Sequence, residues 1–337
     1  MKWFVTGGCG FIGQELVHQL SLDGHDVVVY DAMTKAATGA KRVASMSGVK
    51  VINGDVCDSR LLERSLYNYM PDVVVHMAAQ SHVDESLESP ISTWDVNAIG
   101  TQNVAMQCAV FGIPMLYCST DEVYGTTPID SDGAPVPVSE DHPFDPSSPY
   151  SASKAAGEYA VRVNGKTLGL RWAITRGSNA FGPNQFCEKL IPIACSLLHS
   201  KYAVPLHGGG SQLRQWIHVS EFAEALVLAA TALFNGHGEG KTWNIAGPDL
   251  ISVKRLVGLI AENMGLDPAS YVYDAVERPA QDFRYAVSGK SMEDGLGWKA
   301  TRKLTERKEI ESLVAHYSEN HNAPSLAQYV ITHRSAQ

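Results

Sequence analysis

The chain has 337 residues, enough for one large domain or two closely joined ones. Hydrophobic residues make up 45% and charged residues 19%, the balance of an ordinary globular protein and not of a disordered or fibrous one. Twenty-seven basic residues against 36 acidic ones leave a net charge of −9, which argues against nucleic acid or an anionic membrane surface as the main partner.

Residues 3–6 are an apolar run that enters a glycine turn at once, so the start reads as a buried strand and not as a secretory signal. The turn, Gly7-x-x-Gly10-x-x-Gly13, opens an amphipathic pattern reaching about residue 23. Glycines in a strand–turn–helix context let a backbone approach a pyrophosphate, and the helix N-terminus offers unsatisfied N–H groups. Phe11 and Ile12 belong to the same turn. A second strand, 27–30, ends at Asp31, the position of an acid that binds a ribose diol. A carboxylate there repels a 2′-phosphate, and no arginine occupies the turn, so the expected cofactor is NAD and not NADP. A third strand, 49–52, ends at Gly54-Asp55. Asp55, with Val56 beside it, reads either as an acceptor for an adenine amino group or as the cap of a helix starting near Ser59. A fourth strand, 73–76, is followed by Ala78 and Ala79, small enough for the cofactor to approach.

Helical patterns at 59–69, 92–111 and 150–166 separate these strands from a fifth at 113–118 and a sixth at 172–175. Asn97, within the second of these helices, reads as structural. Continuous apolar strands alternating with helices predict an α/β fold with a parallel sheet covered on both faces. After Asn179 the alternation stops, and helices at 219–234, 253–264 and 307–319 mix with short strands near 243–245. The expected division is 1–178 for cofactor binding and 179–320 for a smaller mixed α/β lobe with segments crossing back, with 321–337 a tail. The 219–234 helix carries Glu221 and Glu224 and is too short to span a bilayer. The six cysteines form no Cys-x-x-Cys pair and no Cys/His zinc spacing, so free thiols in a reducing cytosol are expected and a metal is not.

The chemistry-bearing residues sit in two stretches. Tyr150 and Lys154 share one helix face. An ammonium beside a phenol is expected to lower the phenol from about 10 towards neutrality, making Tyr150 a base for an alcohol proton. Thr120, Asp121 and Glu122 add a hydroxyl and two carboxyls at a strand end. Adjacent acids are often only a solvated loop, but simple alcohol oxidation needs no such pair, whereas expulsion of water needs both an acid and a base.

These residues resemble the extended short-chain dehydrogenase/reductase superfamily and, within it, the dTDP-glucose 4,6-dehydratases. The broad signs are Thr6-Gly-Gly-Cys-Gly-Phe-Ile-Gly13, His76-Met-Ala-Ala79 and Tyr150-x-x-x-Lys154. The narrower ones are Ser81-His-Val-Asp84, Ser119-Thr-Asp-Glu-Val-Tyr-Gly125, Thr175-Arg-Gly-Ser-Asn179, Phe186-Cys-Glu-Lys-Leu-Ile-Pro192 and Arg278-Pro279. The resemblance implies a doubly wound (Rossmann) sheet with a smaller substrate-binding lobe. It implies that Tyr150, helped by Lys154, takes the proton of a sugar 4-hydroxyl bonded to Thr120 while NAD accepts hydride from C4. Glu122 then removes the C5 proton, Asp121 protonates the departing 6-hydroxyl, and hydride returns to C6. Ser81, Asn179, Glu188, Lys189, Leu190, Arg214, Asn244 and Arg278 stand where relatives grip the nucleotide sugar, with dTDP-glucose the favoured one. Relatives also pair the two long helices into a homodimer. The chain departs from the pattern at Met33-Thr-Lys-Ala-Ala37, at Ala180 and at Gln281-Asp282-Phe283-Arg284, all nearer the nucleotide pocket than the chemistry. The competing readings are a UDP- or CDP-sugar dehydratase, a sugar epimerase or decarboxylase, and an NAD-binding module without turnover.

Overall fold

A computed structural model describes residues 1–275 and 282–319. Twelve strands appear in chain order: β1 (Lys2–Thr6), β2 (Asp26–Asp31), β3 (Val49–Asn53), β4 (Val73–His76), β5 (Met115–Thr120), β6 (Trp172–Gly177), β7 (Asn179–Phe181), β8 (Val204–His207), β9 (Leu213–His218), β10 (Thr242–Ile245), β11 (Asp249–Ser252) and β12 (Val272–Ala275). Seven of them form one sheet in the order β3-β2-β1-β4-β5-β6-β10, and every pairing in it is parallel. The chain winds outward from β1 to β3, then returns to β4 on the other side of β1. That reversal is the switch point at which such sheets bind dinucleotides, at the C-terminal ends of the strands.

Both faces of the sheet are covered, which is why its strands are predominantly apolar. On one face Leu16, Val17 and Leu20 of the Phe11–Leu22 helix meet Ala225, Leu226 and Ala229 of the Val219–Phe234 helix. On the other, Leu62 and Leu66, Val104 and Cys108, and Val161 from three further helices close over Phe4, Val74 and Ile174. A separate core joins the Leu190–His199, Val253–Asn263 and Arg307–Glu319 helices to β8 and β9. The Val219–Phe234 helix and β10, both late in sequence, therefore belong to the first sheet. Antiparallel β9 and β11 with parallel β7, and the β8–β12 pair, make two smaller sheets that periodicity did not reveal.

The expected continuous helix over residues 92–111 is replaced by three pieces. Pro90–Trp94 is α-helical, Asp95–Ile99 is a π turn and Gly100–Phe111 is α-helical again. The extra residue in the π turn coincides with an inward-facing Asn97, which is fully buried. Its amide accepts from the Gln80 N–H and donates to the Gln80 carbonyl and to Ser153 Oγ, at 2.9–3.0 Å.

One buried ion pair organises the interior behind the strand ends. The Arg176 guanidinium donates to both Glu158 oxygens, at 2.9 and 2.8 Å, and to the Tyr124 hydroxyl at 2.6 Å. Neither charged side chain has more than 2% of its surface exposed. Removing one member of such a pair strands the other charge, so Glu158→Gln is expected to lose about 3–5 kcal/mol of stability. Urea unfolding measures this, and an unchanged midpoint would contradict it. Among the described residues no helix is long and apolar enough to cross a membrane, and the six cysteines are all free thiols.

Candidate active site

The glycine turn lies between β1 and the Phe11–Leu22 helix, at the switch point. Gly7 has φ +71°, and a Cβ there would sit 2.8 Å from the Ala78 backbone. A Cβ on Gly13 would meet the Gly7 carbonyl at 2.3 Å, so only glycine lets the helix start pack on the turn. Gly10 caps the helix without a side chain, which leaves the first helical N–H groups to an anion or to solvent. The Asp31 carboxylate is 8% exposed and accepts from the Cys9 and Met33 N–H groups, both at 2.9 Å. Each oxygen keeps lone-pair capacity for a ribose hydroxyl, and none of this suits a second phosphate. Thr6 Oγ1 accepts from the Met77 and Ala78 N–H groups at 3.1 Å, fixing the turn that carries Ala78 and Ala79. An uncapped helix start and a carboxylate at the end of β2 fit a dinucleotide diol and pyrophosphate. Asp55 is not the cap of the next helix. Asp58 is, accepting from the Leu61 N–H at 3.0 Å, while Asp55 Oδ1 accepts from the Cys57 N–H at 2.9 Å.

Across the switch point, Thr120 ends β5 and caps a short 3₁₀ turn, Asp121–Tyr124, by accepting from the Glu122 N–H at 3.3 Å. Tyr150 and Lys154 lie on the Pro149–Leu168 helix, whose start is locked by reciprocal Ser148–Ser151 bonds with Pro149 in the first turn. Lys154 is 2% exposed. Its Nζ donates to the Cys118 carbonyl at 2.8 Å and lies 4.2 Å from the centre of the Tyr117 ring. Burial lowers its pKa to about 8.

Two carboxyls and a phenol lie close enough here to perturb one another. Asp121 is 2% exposed, and its Oδ2 is buried without a hydrogen-bond partner among the described residues. Burial first, then Glu122, raises its pKa well above the carboxylate range, against the pull of Arg214. Burial of that kind favours the protonated form of a carboxyl, the form that can donate. Tyr150 departs from the expectation set by its lysine. Burial, then Glu122, pushes the phenol well above its usual value, and a bond with Thr120 pulls it only partly back. The reason is geometric: the ammonium is directed at the Cys118 carbonyl and the Tyr117 ring.

The profile of the NAD dependent epimerase/dehydratase family matches residues 3–246. The chain belongs to that family. It is 35% identical over 318 residues to a dTDP-glucose 4,6-dehydratase of Xanthomonas campestris, with 88% of each chain covered. Its fold matches the crystal structure of DesIV, a dTDP-glucose 4,6-dehydratase from Streptomyces venezuelae with NAD bound. That match has a TM-score of 0.86 and 33% identity, and covers 95% of this chain and 98% of that one. A UDP-glucose 4-epimerase of Thermus thermophilus in complex with NAD matches at TM-score 0.83 and 29% identity, covering 94% and 99%. The cofactor of this family is NAD; in this chain Phe11, Ile12 and Gly13 open the first helix at the switch point, and Asp31 ends β2.

The residues expected around the substrate have different fates. Asn179 opens β7, and its Oδ1 is buried without a partner among the described residues. Lys189 Nζ donates to the Ser81 carbonyl at 3.0 Å, which ties those two positions together. Glu188 faces Lys35 at 4.0 Å, and Lys35 also pairs with Glu85 at 3.1 Å. Leu190 begins the Leu190–His199 helix and packs on the second core. Arg214, on β9, is part-buried, with its guanidinium 4.2 Å from the centre of the Tyr285 ring. Asn244 corrects the expectation of a substrate contact. It is fully buried, its Oδ1 accepts from the Tyr124 hydroxyl at 2.8 Å, and its Nδ2 donates to the Val138 and Ser288 carbonyls at 3.3 Å. Both of its N–H donors and its oxygen find partners inside the protein. Arg278 lies outside the described residues. Tyr285, Asp282 and the Arg176–Glu158 pair were missed as contributors, because the contacts that matter join segments far apart in sequence.

Asp31→Ala is expected to weaken NAD binding about 10- to 100-fold, the worth of one or two hydrogen bonds to a charged acceptor. Calorimetric titration of the cofactor-stripped protein measures it. A preference of the unmodified protein for NADP would contradict the assignment.

Proposed function

We propose that this chain is a nucleotide-sugar 4,6-dehydratase acting on a nucleoside diphosphate glucose, with dTDP-glucose favoured, and that its product is the 4-keto-6-deoxy sugar. The observation that carries the reading is a buried Asp121 beside Glu122, bonded to Thr120 at 3.4 Å and close enough to perturb Tyr150. An epimerase needs the hydroxyl chemistry of Tyr150 alone. Two adjacent carboxyls, one of them buried, supply candidates for the acid and the base that elimination of water requires.

Bound NAD supplies a reversible hydride acceptor and, when oxidised, a positive ring whose charge favours a phenolate. Tyr150 takes the proton of the 4-hydroxyl, oriented by Thr120. Lys154, still largely an ammonium at neutral pH, anchors the helix at the Cys118 carbonyl and adds positive charge beneath the sugar. The resulting 4-ketone acidifies C5–H. Glu122 removes that proton, and Asp121 delivers its own to the departing 6-oxygen. Arg214 and Lys189 carry the charge that suits a diphosphate, with Ser81, Asn179, Glu188 and Leu190 around the sugar; Arg278 is assigned on the sequence resemblance alone. Gly7, Gly10, Asp55 and Val56 complete the cofactor contacts.

We assign 1–178 to cofactor binding, and 179–320 to substrate binding apart from the Val219–Phe234 helix and β10. A cytoplasmic homodimer fits the free thiols and the apolar surface on adjacent helices, where Ile91, Ile99, Tyr159 and Val163 are each at least half exposed. Light scattering should give a dimer mass that Val163→Glu reduces. Incubation with dTDP-, UDP- and CDP-glucose, followed by the alkali-induced ultraviolet absorbance of a 4-keto sugar, tests the activity. The dTDP sugar should react best, and no absorbance with any of them would overturn the reading.

A further inference from the structure

One residue gathers three segments that flank the site, two through its carboxylate and one through its backbone carbonyl. Asp282 is 6% exposed. Its Oδ1 accepts from Thr126 Oγ1 at 2.9 Å, and its Oδ2 accepts from the Tyr285 hydroxyl at 2.6 Å and from Ser147 Oγ. Thr126 follows Glu122 closely on one segment, and Ser147 stands just before the helix of Tyr150 on another. The third segment holds Arg214. Its guanidinium donates to the Asp282 carbonyl at 3.0 Å and to the Leu213 carbonyl at 2.9 Å, and it stacks on the Tyr285 ring. The main chain repeats the connection, with Leu213 N–H donating to the Phe283 carbonyl at 2.9 Å and Tyr285 N–H to the Leu213 carbonyl at 3.2 Å.

The three segments do not depend on Asp282 equally. The Asp121–Tyr124 turn has its own cap in Thr120, and the following loop is held by Asp145 N–H donating to the Val123 carbonyl. The start of the catalytic helix has the Ser148–Ser151 box. Arg214, by contrast, rests on the ring of Tyr285 and on the carbonyl of Asp282 itself. Tyr285 is in turn oriented through its hydroxyl by the Asp282 carboxylate.

We propose that Asp282 is a positioning residue: by fixing the Tyr285 ring and the backbone beneath Arg214, it aims the guanidinium at the diphosphate of the nucleotide sugar. The inference rests on the function proposed above for the ligand it names. A residue that acts through Arg214 governs ground-state and transition-state binding alike, so it belongs to KM and not to kcat.

The test uses the full-length enzyme with its bound NAD. Asp282→Ala should raise KM for the nucleotide sugar, and the dissociation constants of dTDP and UDP in calorimetric titration, by about 10- to 100-fold. Both kcat and NAD content should change little. Tyr285→Phe, which keeps the ring and removes one donor, should give a smaller rise in the same constants. The double variant should be no worse than Asp282→Ala alone, because both act through one stack. If Asp282→Ala does not fold, Tyr285→Phe decides. Unchanged KM and nucleotide affinity, or a loss confined to kcat, would overturn the proposal. Nucleotide binding without dehydration would instead overturn the dehydratase reading, and the titrations would still judge Asp282. An unmodified protein that binds no nucleoside diphosphate would overturn both.

Discussion

Tyr150→Phe is expected to keep the fold and its NAD but to form no reduced nicotinamide when nucleotide sugar is added. The substitution removes only the hydroxyl of a side chain that is 8% exposed, so packing is preserved. What is lost is the group proposed to accept the 4-hydroxyl proton. A placed base contributes about 10²–10⁴ in rate, and here nothing downstream can proceed without it. The near-ultraviolet absorbance of reduced nicotinamide in a single turnover measures the effect. Rapid reduction in the variant would show that another group takes the proton. In the unmodified enzyme kcat should fall as pH rises through about 8, where Lys154 loses its ammonium. The sign follows from the burial that lowers the lysine: below that pH the charge is present, and above it the positive field beneath the sugar is gone.

Glu122→Gln and Asp121→Asn should behave differently from Tyr150→Phe. Each should still oxidise the sugar at C4 but lose about 10²–10⁴-fold in formation of the 4-keto-6-deoxy product, equivalent to about 3–5 kcal/mol of barrier. Glu122→Gln removes the base for C5. Asp121→Asn removes a proton donor whose acidity is suppressed by burial and by its neighbour. Reduced nicotinamide and the 4-keto hexose should therefore accumulate in both. Glu122→Gln turning over at the normal rate would move the assignment towards an epimerase. For Asp121 the pH dependence also has a fixed sign. Its function needs the protonated form, so activity falls as pH rises through its elevated pKa, and Asp121→Asn should lack that descending limb.

Much of this was legible in the sequence, for reasons that differ from place to place. Buried parallel strands carry near-continuous apolar runs, so β1, β2 and β4 stand out, and their alternation with amphipathic helices points to the winding. The glycine turn and Asp31 are local signals whose spacing is set by the ligand. Short mixed strands such as β7, β8 and β12 give only three or four residues of pattern, too few to carry a period. The π turn at Asp95–Ile99 leaves no local pattern; it coincides with the Asn97 side chain reaching Gln80 and Ser153, contacts that spacing does not show. Asn244 was misplaced because its position on a strand of the central sheet says nothing about which way its amide is satisfied. Asp282 and Tyr285 could not be found from spacing, since their partners come from residues 126, 147 and 214.

The central claim is that one active site oxidises C4, eliminates water across C5–C6 and reduces C6 of the same sugar. The most direct test is the fate of label in the product of C4-deuterated nucleotide sugar, with unlabelled substrate turned over in D₂O as the companion sample. Proton NMR and mass spectrometry should find the C4 deuterium at C6 in the first product, and solvent deuterium at C5 in the second. Label returned to C4 with C5 unlabelled would mean epimerisation. Loss of the C4 label to solvent would mean that the hydrogen is not held within the site, and either result would contradict the account.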